Sequence, residues 1–155
     1  VVGSTGSASE DLARRLYPSL PEIAFLDMGD FAGGLIKYLK AHPVEKLTIS
    51  GGFAKLTKLA QGAMDLHSGR SQVDFAFLCE ALAGLDPAAA ERLEPQILSA
   101  NTAKEVLDMT AAAELDLAGE IARRAKAVSL ERLGNSGVSV EIVVSDRKGG
   151  LVARV

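Results

Sequence analysis

Apolar and polar positions along the chain fall into two periods, and their alternation lays out the elements. Val1-Val2-Gly3 reads as the end of a strand that turns at Ser4-Thr5-Gly6. Behind it, Leu12, Ala13, Leu16 and Tyr17 form one helical stripe, with Ser7 and Glu10 at capping-box spacing before it and Pro18 and Pro21 closing it. Residues 22–28 read as a buried strand. Asp30 stands where it can cap a second helix, whose inner face would be Phe31, Leu35, Ile36 and Leu39 and which His42-Pro43 would end. Residues 46–50 form a third strand that runs into Gly51-Gly52 and a helix bearing Phe53, Leu56, Leu59, Ala60 and Ala63 on one side.

The second half starts helical. Phe75, Leu78 and Leu82 mark a helix over 73–84, Pro87 suits a first helical turn, and Thr102 and Glu105 repeat the capping-box spacing. A long helix from Leu115 to Leu133 stops at Gly134-Asn135. Val138, Val140, Ile142 and Val144 alternate with polar neighbours, as on a half-buried strand. Asp146-Arg147-Lys148-Gly149-Gly150 then turns the chain into Leu151-Val152-Ala153. Strands alternating with helices over short links require right-handed crossovers and a parallel sheet. The expected fold is one α/β domain over 1–155, with a Rossmann-like, mostly parallel sheet flanked by helices and an antiparallel hairpin at one edge.

Composition narrows the functions open to such a domain. With 155 residues, 48% of them hydrophobic and 24% charged, the chain suits a soluble globular domain. A net charge of −3 speaks against nucleic acid as partner. No apolar run approaches the roughly 18 residues of a membrane span. Cys79 is the only cysteine, which excludes an internal disulfide and fits the cytoplasm. Two histidines and one cysteine, none at ligand spacing, leave no transition-metal site. A chain that opens on a strand's last step suggests a domain preceding it, so that 1–155 would be the C-terminal domain of a longer protein. A homo-oligomer is compatible with the sequence, which does not set its order.

Open parallel sheets bind ligands outside the carboxyl ends of their strands, so three strand ends are the places to look for chemistry. The first is Gly3-Ser4-Thr5-Gly6, where a glycine turn lets the backbone approach a ligand ahead of a helix N-terminus. The second is Met28-Gly29-Asp30. A carboxylate 24 residues beyond Gly6 could accept two ribose hydroxyls, while its alternative role is to cap the following helix. Asp27 is the alternative acid. The third is Gly51-Gly52, followed by Lys55 and Lys58 three apart on one helix face. The helix dipole does not favour cations there, so the pair could hold substrate carboxylates or be simply solvated. A polar loop follows, in which His67 could move a proton and Ser68 and Arg70 could bind an acidic group. His42 and Cys79 read as structural.

Several of these pieces together resemble one family. Met28-Gly29-Asp30-Phe31, Ala54-Lys55-Leu56-Thr57-Lys58-Leu59-Ala60-Gln61-Gly62, His67-Ser68 and the terminal Val140-Glu141-Ile142-Val143-Val144-Ser145-Asp146-Arg147-Lys148-Gly149-Gly150 resemble the cobalt-precorrin-5B (C-1)-methyltransferase family, CbiD. The resemblance covers nearly the whole chain and points to the family's C-terminal α/β domain. It implies S-adenosylmethionine as methyl donor and a carboxylate-rich cobalt corrinoid as acceptor, in the anaerobic branch of cobalamin synthesis. On that footing Gly3, Ser4, Thr5, Gly6, Met28, Gly29, Asp30, Gly51 and Gly52 would face the donor, Lys55, Lys58, Ser68 and Arg70 the acceptor, and His67 would carry any proton transfer. Two readings from other classes stay open: a non-catalytic nucleotide-binding or regulatory module on the same sheet, and a dinucleotide-dependent oxidoreductase, which the incomplete glycine fingerprint disfavours.

Overall fold

A computed structural model describes residues 1–155. Three strand–helix units open the chain: β1 (Val2–Ser4) and α1 (Ser7–Leu16), β2 (Phe25–Asp27) and α2 (Ala32–Ala41), β3 (Lys46–Gly52) and α3 (Phe53–Ala60). Four helices follow without a strand: α4 (Phe75–Leu85), α5 (Pro87–Ser99), α6 (Ala103–Ala112) and α7 (Leu117–Leu133). The chain closes with β4 (Ser139–Ser145) and β5 (Leu151–Arg154). The sheet order is β2-β1-β3-β4-β5, parallel throughout except for the antiparallel β4–β5 edge. The fold is thus the mostly parallel α/β arrangement with the C-terminal hairpin at one edge. No helix is long and apolar enough to cross a membrane.

Leu47 and Ile49 of β3 and Val140, Ile142 and Val144 of β4 point to one face of the sheet. There they pack with Ile36 and Leu39 of α2, Leu56 and Leu59 of α3, and Ile121 and Ala125 of α7 in a single core. Each valine, leucine or isoleucine among them contributes about 1.5–3 kcal/mol on burial. The opposite face is covered by α1. Ser50 donates to the Ser9 carbonyl at 2.8 Å. At the far end of α1, Glu141 accepts from Tyr17, from Thr48 at 2.9 Å and from Arg154 at 3.0 Å, with Lys46 Nζ also 3.0 Å away. This buried carboxylate therefore joins α1 to β3, β4 and β5, and its lone pairs are satisfied, as burial of a charge requires.

Several expectations are corrected. β2 is a short edge strand, not a buried run over 22–28: Glu22–Ala24 form a 3₁₀ turn and Ile23 is 84% exposed. β2 has a strand neighbour on one side only. β4 is buried on both faces rather than half-buried, because α1 covers the side carrying Glu141 and Val143. Ser7 and Glu10 form no capping box; Glu10 instead pairs with Arg14 four residues on. Asp30 does not cap α2, which starts two residues later behind an exposed Phe31. The Thr102 cap does form, with Thr102 Oγ1 accepting from Glu105 N at 3.2 Å while Glu105 turns back to Asn101 N at 2.8 Å.

Candidate functional site at the strand tips

β1 connects to β2 on one side and, after α2, the chain returns to place β3 on the other. The sheet order therefore reverses between β1 and β3, and at such a switch the two outgoing helices diverge and leave a crevice. A cleft of about 890 Å³ opens at the carboxyl ends of the strands. Its walls come from Thr5–Ser9 after β1, Gly52–Lys55 after β3 and Ser145–Lys148 after β4, with Thr102, Leu107 and Ala111 of α6 and its N-cap opposite. Volumes of this order suit a small organic ligand.

The helix ends explain what the cleft offers. The helices α4, α5, α6 and α7 each begin under a side-chain cap, from Asp74, Asp86, Thr102 and Asp116. By contrast α1 and α3 have no side-chain cap, with Gly6 and Gly52 at their N-cap positions. The first intrahelical bond of α1 is Glu10 N to Gly6 O, so the N–H groups before it have no helical partner. Two uncapped, partly positive helix ends thus face one cavity, an arrangement suited to carboxylate, phosphate or hydroxyl oxygens. Gly51 sets their spacing: a Cβ there would lie 2.9 Å from Thr5 Oγ1, so no larger residue lets β3 close on the first turn.

The second strand tip is differently built. Gly29 has φ +55°, a conformation that favours glycine, and its N–H is shared between Ser4 O at 3.1 Å and Asp27 Oδ1 at 3.2 Å. Chain geometry alone accounts for this glycine. Met28 is buried against Gly3, which lies within β1 away from the cleft, as does the buried Ser4. None of Met28, Gly29 and Asp30 lines the cleft. Asp30 Oδ1 sits 3.0 Å from Lys55 Nζ, at an angle too poor for a hydrogen bond, while Lys55 donates to Thr5 O at 2.5 Å. Lys55 alone links the acid after β2 to the cleft.

Lys55 and Lys58 do not act as a pair. Lys58 is only 7% exposed, and its ammonium donates to Leu66 O and to Ser71 O at 3.4 Å. Burial depresses its pKa below the ordinary lysine value; Asp30 opposes that and Lys55 reinforces it. Its donors tie down the 65–71 loop, which is also held by Leu66 N to Asp30 O and Gly33 N to Met64 O, both 2.8 Å. His67, Ser68 and Arg70 are exposed on that loop, outside the cleft. His67 Nδ1 accepts from Gly69 N at 3.1 Å, which leaves the Nε2 position for the proton of the neutral ring.

Sequence reasoning missed the β4 tip and α6. The turn 146–150 looked like a plain hairpin connection, yet β4 runs parallel to β3, so its carboxyl end reaches the same cleft. The missed signal was the unbroken apolar run Ile142-Val143-Val144: consecutive apolar residues put apolar side chains on both faces, and a strand buried on both faces belongs inside a parallel sheet. Asp146 organises the turn, its Oδ1 accepting from Lys148 N and Gly150 N at 2.7 Å each, and these backbone bonds, Gly150 first, hold its carboxyl below the usual aspartate range.

Fold and cleft together define an open-sheet α/β protein with a cleft at its topological switch. The chain belongs to the CbiD family: the family model for the CbiD C-terminal domain matches residues 65–155. It is similar to the cobalt-precorrin-5B C(1)-methyltransferase of Brucella anthropi, 58% identical over 155 residues, and to that of Brucella ovis, 57% identical over 155 residues. Both matches take in 100% of this chain and 41% of the relative, so the chain spans well under half the length of these curated proteins. No solved structure matches it.

Proposed function

We propose that this chain is the methyl-donor-binding part of a cobalt-precorrin-5B C-1 methyltransferase, acting in the cytoplasm in the anaerobic branch of cobalamin synthesis. The observation that carries this is the pair of uncapped helix N-termini, α1 and α3, opening into one cleft at the β1/β3 switch. Membership of the family and the names of the relatives supply the reaction class.

S-adenosylmethionine supplies an electrophilic methyl on a sulfonium centre. The protein's part is to bind and orient. Backbone N–H groups at Gly6–Ser9 suit the donor's amino-acid carboxylate, and those at Phe53–Lys55 suit its sugar hydroxyls. Phe53 and Ala54, beside the α3 N-terminus, give the cleft apolar surface against which a purine can lie. Holding donor and acceptor in line replaces a chance encounter, and such positioning is worth up to roughly 7–11 kcal/mol. Carbon methylation on these terms needs no side-chain nucleophile. Lys55 keeps a cation on the cleft wall, and Asp30, with Met28 and Gly29 behind it, acts on the ligand by holding Lys55. His67, Ser68 and Arg70 flank the site on their own loop; a proton relay through His67 would require the acceptor to extend past Lys55 to that loop.

Titration calorimetry tests the reading. S-adenosylhomocysteine, the demethylated product, is expected to bind with measurable heat, and NAD and ATP are not. Binding of NAD or ATP in its place would favour the alternative, a non-catalytic nucleotide-binding or regulatory module.

A further inference from the structure

The cations that sequence reasoning set aside for acidic groups are mostly occupied. Lys58 is buried on backbone carbonyls and Lys55 faces Asp30, while Arg70 stands on the 65–71 loop outside the cleft; Lys104, a further cation on the cleft wall, pairs with Asp108. Two cations lining the cleft have no acidic partner: Arg147 and Lys148, both exposed on the β4–β5 turn. The only acid beside them is Asp146, which is tied to the turn's own N–H groups and offsets one of the two charges. The rim of the cleft at this corner therefore carries a net positive charge, two cations against one acid.

The turn is also fixed in place. Asp146 N donates to Gly150 O at 2.9 Å and Gly149 N to Asp146 O at 3.3 Å. Arg15 donates to Gly149 O, and Gly149 lies so close to α1 that a Cβ there would stand 3.1 Å from Ala8 O. Two side chains on a held turn lose less freedom on gripping a ligand than two on a floppy one. The N–H groups of Lys148, Gly149 and Gly150 are all used, so the turn offers no backbone nest for a phosphate. Recognition here runs through side-chain charge, which suits separate carboxylates. Leu107 and Val152 place apolar surface in the same cleft.

We propose that Arg147 and Lys148 form a carboxylate-gripping edge for a flat, apolar ligand rimmed with acids, the methyl acceptor. This rests on reading the cleft as a methyl-transfer site. Arginine offers a planar two-pronged donor and lysine a point charge, so the pair can hold two neighbouring acid arms of a macrocycle while its apolar body lies on Leu107 and Val152.

The test uses cobyrinic acid, a corrin rimmed with free carboxylates, its heptamethyl ester as uncharged control, and S-adenosylhomocysteine. In the protein carrying Arg147→Gln and Lys148→Gln, cobyrinic acid affinity at low salt is expected to fall about a hundredfold, roughly tenfold per cation. The fall in affinity with added salt should flatten, while affinity for the ester and for S-adenosylhomocysteine stays within about twofold. Arg147→Lys, which keeps the charge, should restore most of the binding, and an unchanged circular dichroism spectrum confirms the fold. Equal cobyrinic acid affinity in the double variant overturns the proposal. So does a wild-type protein that binds S-adenosylhomocysteine but no cobyrinic acid, and in both cases the donor reading stands. A loss confined to S-adenosylhomocysteine also overturns it, because the pair would then hold the donor's own carboxylate. Cobyrinic acid binding that depends on the pair, in a protein that binds no S-adenosylhomocysteine, upholds the carboxylate edge and removes the donor reading.

Discussion

Lys55 and Asp30 show how one contact changes the meaning of a residue. A carboxylate at that distance from a glycine turn invites a direct role on a ribose, but its Oδ1 lies 3.0 Å from an ammonium that itself reaches the first turn. If Asp30 acts only through Lys55, the two substitutions are not additive. We expect Asp30→Asn to weaken S-adenosylhomocysteine about fivefold in the wild-type background and not at all once Lys55→Met is present. An equal loss in both backgrounds, read by calorimetry, would put Asp30 on the ligand itself. Lys58 makes a second residue-scale case. Removing its donors by Lys58→Met leaves Leu66 O and Ser71 O short of partners and is expected to cost about 1–3 kcal/mol in urea denaturation at neutral pH. The sign with pH follows from its depressed pKa. Where the folded lysine has already lost its proton, the unfolded one, near about 10.4, still holds it. Unfolding then takes up a proton, so wild-type stability rises with pH through the window below that value. The Lys58→Met variant should lack this rise; an identical pH profile in both proteins would refute the assignment.

At the scale of elements, the helix starts divide by position in the chain: none of α1, α2 and α3 has a side-chain cap, and of these α1 and α3 open at the cleft. Side chains cap the four helices of the second half, whereas α1 and α3 present bare backbone to the cleft. Proline is tolerated at the first position of a helix, where it removes one N–H without breaking an internal bond. Ser7 holds that position in α1, and the extended backbone of Gly6 suits a residue before proline. Ser7→Pro is therefore expected to leave the melting temperature within a few degrees of wild type and to weaken S-adenosylhomocysteine about tenfold. Full affinity in a folded Ser7→Pro protein would show that this N–H touches nothing. Much of this layer is legible in the sequence, because period, proline and capping spacing are local signals: Pro87, the Thr102–Glu105 pair and the stop at Gly134 all fall where spacing places them. Ser7–Glu10 has the same spacing and no cap, since Gly6 takes the N-cap position and Arg14 takes the glutamate. Burial is less legible. The 22–28 run and β4 look alike in composition, but β2 lies at the sheet edge while β4 sits between two strands beneath α1.

At the scale of the whole molecule, function depends on which tips the sheet order brings together. Strand composition gives the order along the chain; it does not give the order across the sheet, which rests on long-range pairing. Thr5, Gly6 and Gly52 could be named from glycine placement alone and line the cleft, whereas Gly3, Ser4 and Gly51 lie behind it within β1 and β3. The third wall could not, because the Asp146–Lys148 turn joins the cleft only through the parallel pairing of β4 with β3. The cleft is thus centred on β1, β3 and β4, with the β2 tip and the His67 loop to one side of Lys55. Backbone amide NMR during titration with S-adenosylhomocysteine tests this most directly. The expected result is chemical-shift change at Gly6–Ser9, Phe53–Lys55 and Asp146–Lys148, with little at Met28–Asp30 or His67–Arg70. Changes centred on the latter two segments, or none at all at saturating ligand, would contradict it.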